Sequence, residues 1–439
     1  MELKQLARIG IVRETSSAWE RRVPFSPQAV EQLIREQGIS VTIQPQSSRC
    51  YADLEYAKAG ATVDDDLSQC DVISAIKHVK PQDLLSNKTY MMYSRLASGT
   101  ESIKEYKREI LKKNITIIDY EQIKDSEGKS LVGSSKLAGS IGLFNAFRIL
   151  GMHWLLREGL NTPLIGPNAY QNRAYSQCQE QLRDSFNDHY SCHGGFKKPF
   201  IIGIIGRGIV SEGALDLLVQ SKVDIQIIKP EDIAHVSKNG ELSKVYVSVL
   251  SRTDYLSNGI SSLADKFLPH LTILVNAAQW THGTPKILTK EQLSQSFITH
   301  KDDYRLKVIS DITCMSDGPI EILQELCKIE SPYFLYDPIS DIRYRGFKEA
   351  QEGGSSSHTI SYLAVEQLPA ELPKDASGMF SDKLSEWAAS IVAFTRSMYH
   401  ENKDFEEASR CLPDELKRAV ITTSKGEMTE PFKYLQSLI

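Results

Sequence analysis

The chain has 439 residues, of which 41% are hydrophobic and 24% are charged, an ordinary globular composition that is long enough for two or three domains. Its formal net charge of −5 excludes the basic footprint of a nucleic-acid-binding protein. No apolar stretch reaches the roughly 20 residues that a membrane span needs, and the N-terminus lacks an apolar signal core. We therefore expect a cytoplasmic protein that binds small molecules and neither nucleic acid nor membrane. A homo-oligomer is left open.

The cysteines give no sign of a metal site or of a disulfide framework. All seven are scattered along the chain without C-x-x-C spacing. We expect them to be reduced and expect no bound metal.

The N-terminal part alternates short apolar strands with helices, a pattern typical of an open α/β sheet. Strands are predicted at 8–12, 39–43 and 72–76, and a helix capped by Ser26 follows the first of them. Arg22 and Lys77 come after apolar strands, at the sheet edge where such folds bind ligands. Arg22 can bind a substrate carboxylate, and Lys77 can transfer a proton if it is partly desolvated. For both residues, a solvated surface charge is the alternative.

A glycine-rich turn joins an apolar strand at 200–205 to a helical pattern at 214–219. This arrangement predicts a dinucleotide-binding unit, in which glycines permit the bend and the helix N-terminus binds the pyrophosphate. The third glycine of the usual pattern is displaced, since Ser211 stands at its position and Gly213 follows. The predicted cofactor contacts are Gly206, Arg207, Gly208, Ile209 and Val210.

A second short strand at 222–228 is followed by Lys229 and Glu231. A carboxylate at this position would accept hydrogen bonds from the ribose hydroxyls, so Glu231 favours NAD over NADP. Lys229 or Arg252 could instead bind the 2′-phosphate of NADP, so both cofactors stay open.

Three later strands are predicted at 246–251, 273–278 and 308–312. Their carboxyl ends should line the nicotinamide half of the cofactor site, where Ala277 and Asp311 are expected. Trp280 either contacts the substrate or anchors its loop by packing.

Several segments occur in an order that resembles one family. They are 22–27, 93–97, 119–121, 136–143, 310–314 and 363–373, with Lys77 at a strand end. The chain thereby resembles the lysine-ketoglutarate reductases, which are saccharopine-forming dehydrogenases related to alanine dehydrogenase and the transhydrogenase substrate domain. The resemblance implies two open, doubly wound α/β domains: a Rossmann domain at 136–352, inserted in a discontinuous catalytic domain at 1–135 and 353–439.

The resemblance carries over to some site residues and fails at others. Arg22 matches the arginine that binds a substrate carboxylate, Lys77 the catalytic lysine, and Asp311 the first aspartate of a cofactor-side motif. Arg95 stands where the family has its catalytic histidine, and a guanidinium can bind an anion but cannot act as a base. Three positions that match larger pocket residues of the family hold small polar residues here, namely Thr100, Ser130 and Ser134. The second aspartate of the motif is replaced by Met315.

The resemblance implies an NAD(P)-dependent oxidoreductase that acts on the CH–NH bond of a saccharopine-like secondary amine. Its substrates would be lysine or a related amino acid and a 2-oxo acid such as 2-oxoglutarate. Proton transfer would fall on Lys77 alone or on a residue that the sequence does not identify. Because the histidine and the second aspartate are missing, a non-catalytic dinucleotide-binding homologue is the alternative.

Overall fold

The computed structural model describes residues 7–98, 103–281, 283–355 and 358–438. The chain forms two compact units. Unit 1 comprises residues 1–134 and 373–439, and unit 2 comprises residues 135–372. Each unit contains its own α/β sheet. The expected fold class, a Rossmann-type unit inserted in a discontinuous α/β unit, is confirmed.

The first part of unit 1 alternates strands and helices. Its strands are β1 (Arg8–Ile11), β2 (Ser40–Ile43), β3 (Thr62–Val63), β4 (Val72–Lys77), β5 (Thr89–Tyr93) and β6 (Thr116–Asp119). Its helices are α1 (Pro27–Gln37), α2 (Asp53–Lys58) and α3 (Lys104–Lys112). As predicted, Ser26 caps α1: its hydroxyl accepts the N–H of Ala29 at 3.2 Å.

Unit 2 begins with two long helices and then alternates strands with shorter helices. The helices are α4 (Ser135–Glu158), α5 (Tyr175–His193), α6 (Ile209–Gln220), α7 (Ile233–Asn239), α8 (Arg252–Tyr255), α9 (Leu263–Lys266), α10 (Lys290–His300) and α11 (Phe347–Glu352). The strands are β7 (Phe200–Ile205), β8 (Ile225–Ile227), β9 (Val245–Leu250), β10 (Leu256–Ser257), β11 (Ile260–Ser261), β12 (Ile273–Asn276), β13 (Val308–Asp311), β14 (Tyr333–Asp337), β15 (Ile342–Tyr344) and β16 (Ile360–Leu363).

The chain returns to unit 1 through one long helix and ends in short elements. These are α12 (Pro373–Tyr399), α13 (Phe405–Ala408), α14 (Asp414–Ala419) and β17 (Val420–Thr422). None of the helices in the described ranges is long and apolar enough to cross a membrane.

In the described part of unit 1, seven strands form one sheet in the order β17-β6-β5-β4-β1-β2-β3. Neighbouring strands are parallel except β17, which is antiparallel to β6. Side chains of β4 alternate between two apolar cores: Val72 and Ile76 pack into one, and Ile73 and Ala75 into the other. Both faces are therefore covered, as a parallel sheet requires.

In the described part of unit 2, eight strands form a sheet in the order β15-β14-β16-β13-β12-β7-β9-β8. The strand β7 is buried along its whole length and pairs in parallel with β12 on one side and β9 on the other. The strand β14 is antiparallel to both of its neighbours. The glycine-rich turn therefore lies at the carboxyl end of a central strand.

One expectation about the end of the chain is wrong. The return to unit 1 lies at Pro373 rather than at residue 353, because β16 pairs in parallel with β13 and so keeps residues up to Leu372 in unit 2. The segment that begins at Gly353 follows α11 and is not the link between the units. The residues after Cys411 include β17, which adds an edge strand to the sheet of unit 1.

Candidate active site

A cavity of about 400 Å³ opens in unit 1 at the carboxyl ends of neighbouring parallel strands. We call it the first cavity. Its lining includes Glu14 after β1, Gln44 after β2, and Lys77 and His78 at the end of β4. This is the edge at which open α/β sheets bind their ligands. Lys77 therefore lies where the sequence predicted it.

Glu14 is half-buried, and its carboxylate accepts two backbone N–H groups at the end of β4. The donors are Ile76 at 2.5 Å and Lys77 at 3.3 Å. Removal from water and the nearby Glu20 together raise the pKa of Glu14 to about 8, although these hydrogen bonds lower it. Glu14 therefore holds its proton at neutral pH and can act as an acid or, once deprotonated, as a base.

Arg22 is buried and forms a two-point ion pair with Glu20, which is fully buried. Its Nε donates to Glu20 Oε1 at 2.8 Å, and its Nη2 donates to Oε2 at 2.6 Å. The carboxylates of Glu20 and Glu14 and the Tyr93 hydroxyl raise the pKa of Arg22, against the effect of burial. The predicted carboxylate-binding arginine is thus partly neutralised by a protein carboxylate, which leaves its remaining N–H groups for a ligand.

Arg95 and His78 lie near Lys77. Burial lowers the pKa of His78, and the positive charges of Arg95 and Lys77 lower it further, so its imidazole is neutral at neutral pH. Arg95 is exposed and has a left-handed backbone with φ of 61°. Arg95 therefore contributes positive charge near His78.

The other predicted substrate-binding residues are less informative. Thr100 lies outside the described residues. The Ser130 hydroxyl donates to the carbonyl of Val132 at 2.9 Å and so stabilises its own loop. Trp280 donates its indole N–H to the Pro285 carbonyl at 3.1 Å, as expected if it anchors its loop. The roles of Ser130 and Trp280 in substrate binding stay predictions.

The glycine-rich turn of unit 2 has the geometry that a dinucleotide needs. Gly206 has φ of 102°, and a Cβ there would lie 2.8 Å from the Ala277 carbonyl oxygen. Gly208 precedes α6, and a Cβ there would have no atom within 4 Å, so a pyrophosphate has room beside the backbone. The N–H groups of Ile209 and Val210 begin the helix and lie at its positive end. These residues fit a dinucleotide cofactor.

The displaced third glycine has a packing role. A Cβ on Gly213 would lie 1.8 Å from the Lys136 carbonyl oxygen, and one on Gly139 would lie 1.9 Å from that of Val210. Both glycines let α4 and α6 approach each other closely. Ser211, at the usual glycine position, donates its hydroxyl to the Gly206 carbonyl at 2.8 Å and braces the turn.

The strand order changes the expected adenosine site. The strand next to β7 is β9, whereas β8 is at the sheet edge and pairs only with β9 among the described strands. Glu231 follows β8, so it is one strand farther from the glycine turn than its sequence spacing suggested. Arg252 follows β9 instead.

Arg207 and Arg252 occupy equivalent positions on adjacent strands. Ile205 of β7 pairs with Leu250 of β9. Arg207 comes two residues after Ile205, and Arg252 comes two residues after Leu250. Both side chains are exposed, and neither guanidinium has a hydrogen bond or ion pair within the described residues. Two cations are thus available at the edge where a phosphate would lie.

Asp311 is buried and forms hydrogen bonds with two other residues of unit 2. Its carboxylate accepts the amide of Asn276 at 2.7 Å and the hydroxyl of Tyr362 at 2.6 Å. Burial raises its pKa to about 6, although both hydrogen bonds lower it. Asp311 stays a predicted cofactor residue, and the bonds that the structure records hold neighbouring strands together.

Among the described residues, no group of His, Cys, Asp or Glu is arranged to hold a metal ion.

Residues 10–139 match the family model of the alanine dehydrogenase/PNT N-terminal domain. The chain is 28% identical to the mitochondrial alpha-aminoadipic semialdehyde synthase of Mus musculus, over 97% of this chain and 47% of that protein. It is 20% identical to the saccharopine dehydrogenase [NAD(+), L-lysine-forming] of Neurospora crassa, over 85% of this chain and 88% of that protein. The resemblance expected from the motifs is confirmed.

The chain spans about half the length of the first of these relatives. A solved structure of an L-alanine dehydrogenase aligns with a TM-score of 0.59 and 16% identity, covering 98% of each chain. At that identity the likeness concerns the fold alone. All three of these relatives are named as enzymes of amino-acid metabolism.

Sequence reasoning missed one candidate site residue, Glu14, and gave another, Arg252, only as an alternative. Glu14 follows the first strand within the predicted ligand-binding loop, and its place after an apolar strand was the available signal. Arg252 was assigned only as an alternative, because the pairing of β9 with β7 cannot be read from spacing.

Proposed function

We propose that this chain is an NADP(H)-linked dehydrogenase that reduces the imine formed between an amino acid and a 2-oxo acid. The observation that supports it most is the pairing of Glu14 with the end of β4, which brings a titrating acid beside Lys77 in the first cavity. The name of the L-lysine-forming relative favours lysine as the amino acid, and the motif resemblance implies a 2-oxo acid as its partner.

The proposed chemistry needs proton transfer at two stages. When an amine condenses with a 2-oxo acid, water leaves and a C=N bond forms; reduction then adds a hydride to carbon and a proton to nitrogen. A nicotinamide cofactor, when bound at the glycine-rich turn, would supply the hydride. Glu14 is protonated at neutral pH and can donate its proton to the hydroxyl group that leaves as water. Lys77 faces the same cavity and is the proposed partner in proton transfer to the amine nitrogen.

Charge in the first-cavity region is consistent with an anionic substrate at neutral pH. With Glu14 protonated, the other charges of the lining balance, since its three aspartates are matched by Arg13, Lys77 and Lys80. Glu20 and Arg22 form a neutral pair, so a substrate carboxylate does not meet a net negative charge. Arg95 adds a positive charge near His78. Arg22 and Arg95 are therefore the proposed carboxylate-binding residues.

The preference for NADP(H) rests on strand order. In a Rossmann-type sheet, the residue after the strand adjacent to the glycine-turn strand contacts the adenosine ribose, and an arginine there accommodates a 2′-phosphate. Here that strand is β9, and Arg252 follows it. Glu231, which favoured NAD, follows the edge strand.

The test follows the absorbance of NADPH in the presence of lysine and 2-oxoglutarate, and then with a panel of amine and 2-oxo-acid pairs. Turnover of a pair is expected, and Lys77→Met should lower it by about 10²-fold to 10⁴-fold. Lys80→Met is the matched control, because Lys80 lines the same cavity. If no pair is turned over while NADPH still binds, the non-catalytic alternative holds.

A further inference from the structure

Unit 2 contains a second cavity, of about 440 Å³, at the edge of its sheet opposite the glycine-rich turn. Its lining includes Phe200, Thr272 and Lys307, which lie at the amino ends of the neighbouring strands β7, β12 and β13. A strand of this length spans about 20 Å, so a ligand here would not overlap a dinucleotide at the carboxyl edge. Its volume lies within the range of small-molecule sites.

The wall of the second cavity is aromatic. The His189 ring stacks on Phe196, with ring centroids 4.6 Å apart. The Trp154 ring also stacks on His189, with ring centroids 6.3 Å apart. Burial and the nearby His193 together lower the pKa of His189 to about 4, so this ring is neutral at neutral pH. The wall can therefore pack against an apolar or aromatic body.

The charged lining is strongly positive. Four cations contribute to it, whereas Glu158 is the acidic residue of the lining and is already paired with Lys307 at 2.8 Å. The cations are Lys197, Lys198, Arg305 and Lys307. The remaining three have no ion pair with a described carboxylate, so an anion would find uncompensated positive charge.

Arg305 gives the sharpest indication of a ligand. Its Nη1 is buried and has no hydrogen-bond partner among the described residues. The charge of Asp303 raises the pKa of Arg305, against the larger effect of burial, but these two described residues form no ion pair with each other. A buried N–H group without a partner is costly, and native proteins rarely leave one. Because Arg305 also lines the second cavity, its side chain can contact an anionic group there.

The helix ends at this edge do not reverse the sign of the charge. The helices α4 and α5 end here, and each terminus carries about half a negative charge. Their last carbonyls are satisfied by the chain: Gly159 N–H donates to Leu155 at 3.1 Å, and Gly194 N–H to Tyr190 at 2.8 Å. Two partial negative charges are less than the charge of the three cations that have no ion pair among the described residues.

We infer that the second cavity is a binding site for a small organic anion, with a carboxylate or phosphate at Arg305 and an apolar body against Phe196 and His189. It is distinct from the cofactor turn and from the first cavity. Binding there would stabilise unit 2 through residues that no proposed catalytic step uses.

Calorimetric titration of the full chain, saturated with NADPH, tests the site with phenyl phosphate and with benzoate. At least one of these two probes should bind. Inorganic phosphate lacks the apolar body and benzyl alcohol lacks the anionic group, so each should bind at least tenfold more weakly. The better probe identifies the preferred anion. Arg305→Met should weaken its binding at least tenfold, since one partner of a desolvated charge contact is removed.

Arg345→Met is the control, because Arg345 is exposed in the same unit and does not line the cavity. If Arg305→Met does not fold, the doubly substituted Lys197→Gln/Lys198→Gln chain, altered at exposed positions, should weaken binding severalfold. The inference is overturned if neither probe binds, if saturation with NADPH abolishes their binding, or if both the Arg305 and the lysine variants bind as the parent does.

Discussion

Glu14 changes the acid–base chemistry expected at the carboxyl edge of the unit 1 sheet. With Arg95 in place of a histidine, the sequence left proton transfer to Lys77 alone or to an unidentified residue. Glu14 lies in the first cavity, accepts the N–H groups that end β4, and has a pKa raised to about 8 by burial and by Glu20. Sequence alone could not separate it from other loop carboxylates, because its desolvation depends on tertiary packing.

Glu14→Gln should change the pH dependence of stability. The folded-state pKa of about 8 exceeds the ordinary 4.5, so the folded chain binds more protons between these values, and Glu14 makes stability fall as pH rises from about 5 to 8. Glutamine removes this loss. The variant should therefore be about 1 to 3 kcal/mol more stable than the parent at pH 9, allowing for partial exposure, and similar to it at pH 4. Urea unfolding of unit 1 at both pH values measures this.

Glu127→Gln is the control for that measurement, because Glu127 is exposed in a loop of the same unit. Its difference from the parent should be small at both pH values. Parallel pH profiles for Glu14→Gln and the parent would show that Glu14 titrates normally, and the proposed acid would be lost.

Arg252→Ala tests the assignment of the cofactor phosphate. A charge-assisted hydrogen bond contributes about 1.5 to 3 kcal/mol, so the variant should bind NADPH roughly tenfold to a hundredfold more weakly while its affinity for NADH stays the same. Glu231→Ala is the matched control and should change neither affinity. Titration calorimetry with both cofactors decides between them. Tighter binding of NADH by the parent, lost in Glu231→Ala, would restore the assignment made from sequence spacing.

The order of β7, β9 and β8 shows where local sequence patterns stop being informative. Both β8 and β9 are short apolar segments that follow helices, and chain order suggested that the first of them pairs with β7. The structure pairs β9 with β7 over six residues, whereas β8 has three residues and an exposed Ile227. The longer and more apolar β9 buries more surface at the centre of the sheet than β8 would. Residue spacing along the chain does not reveal which of the two strands buries more surface.

The crossing of α4 and α6 depends on glycine more directly than the cofactor turn does. Gly213→Ala would put a methyl group 1.8 Å from the Lys136 carbonyl oxygen, so the helices would have to separate. We expect a loss of about 1 to 3 kcal/mol or more in the free energy of unfolding of unit 2. Thermal or urea unfolding measures it.

Gly378→Ala is the control for the helix crossing. Gly378 lies in α12, and a Cβ there would meet no atom within 4 Å, so alanine should stabilise the helix by about 0.5 to 1 kcal/mol. Equal effects of the two substitutions would mean that Gly213 contributes only its helix propensity.

Features with local causes could be predicted from the sequence, and features that depend on distant pairing could not. The turn at Gly206, the cap at Ser26 and the helix that contains 379–398 follow from backbone preferences and from periodicity over a few turns. The return at Pro373 could not be placed, because β16 is recognised as part of unit 2 only through its pairing with β13. The same holds for β17, which reads as a short tail until β6 is beside it.

The C-terminal strand gives a prediction for the chain as a whole. Ile421 is fully buried in a core of unit 1, and Thr422 donates its hydroxyl to the Ile115 carbonyl at 2.7 Å. Ile421→Ala should therefore cost about 2 to 5 kcal/mol, because it removes buried methyl groups and leaves a cavity. Leu54→Ala is the control, since Leu54 is 64% exposed in the same unit and should change stability by less than about 0.5 kcal/mol.

Hydrogen exchange locates the effect of Ile421→Ala. Amides of β5 and β6 should lose protection, because their apolar side chains share a core with Ile421. Amides of β7 and β12 should keep theirs, since Ile201 and Leu274 belong to a separate core in unit 2. Binding of NADPH should persist for the same reason. Equal loss of protection in both units would show that they unfold together and that the C-terminal strand stabilises the entire chain.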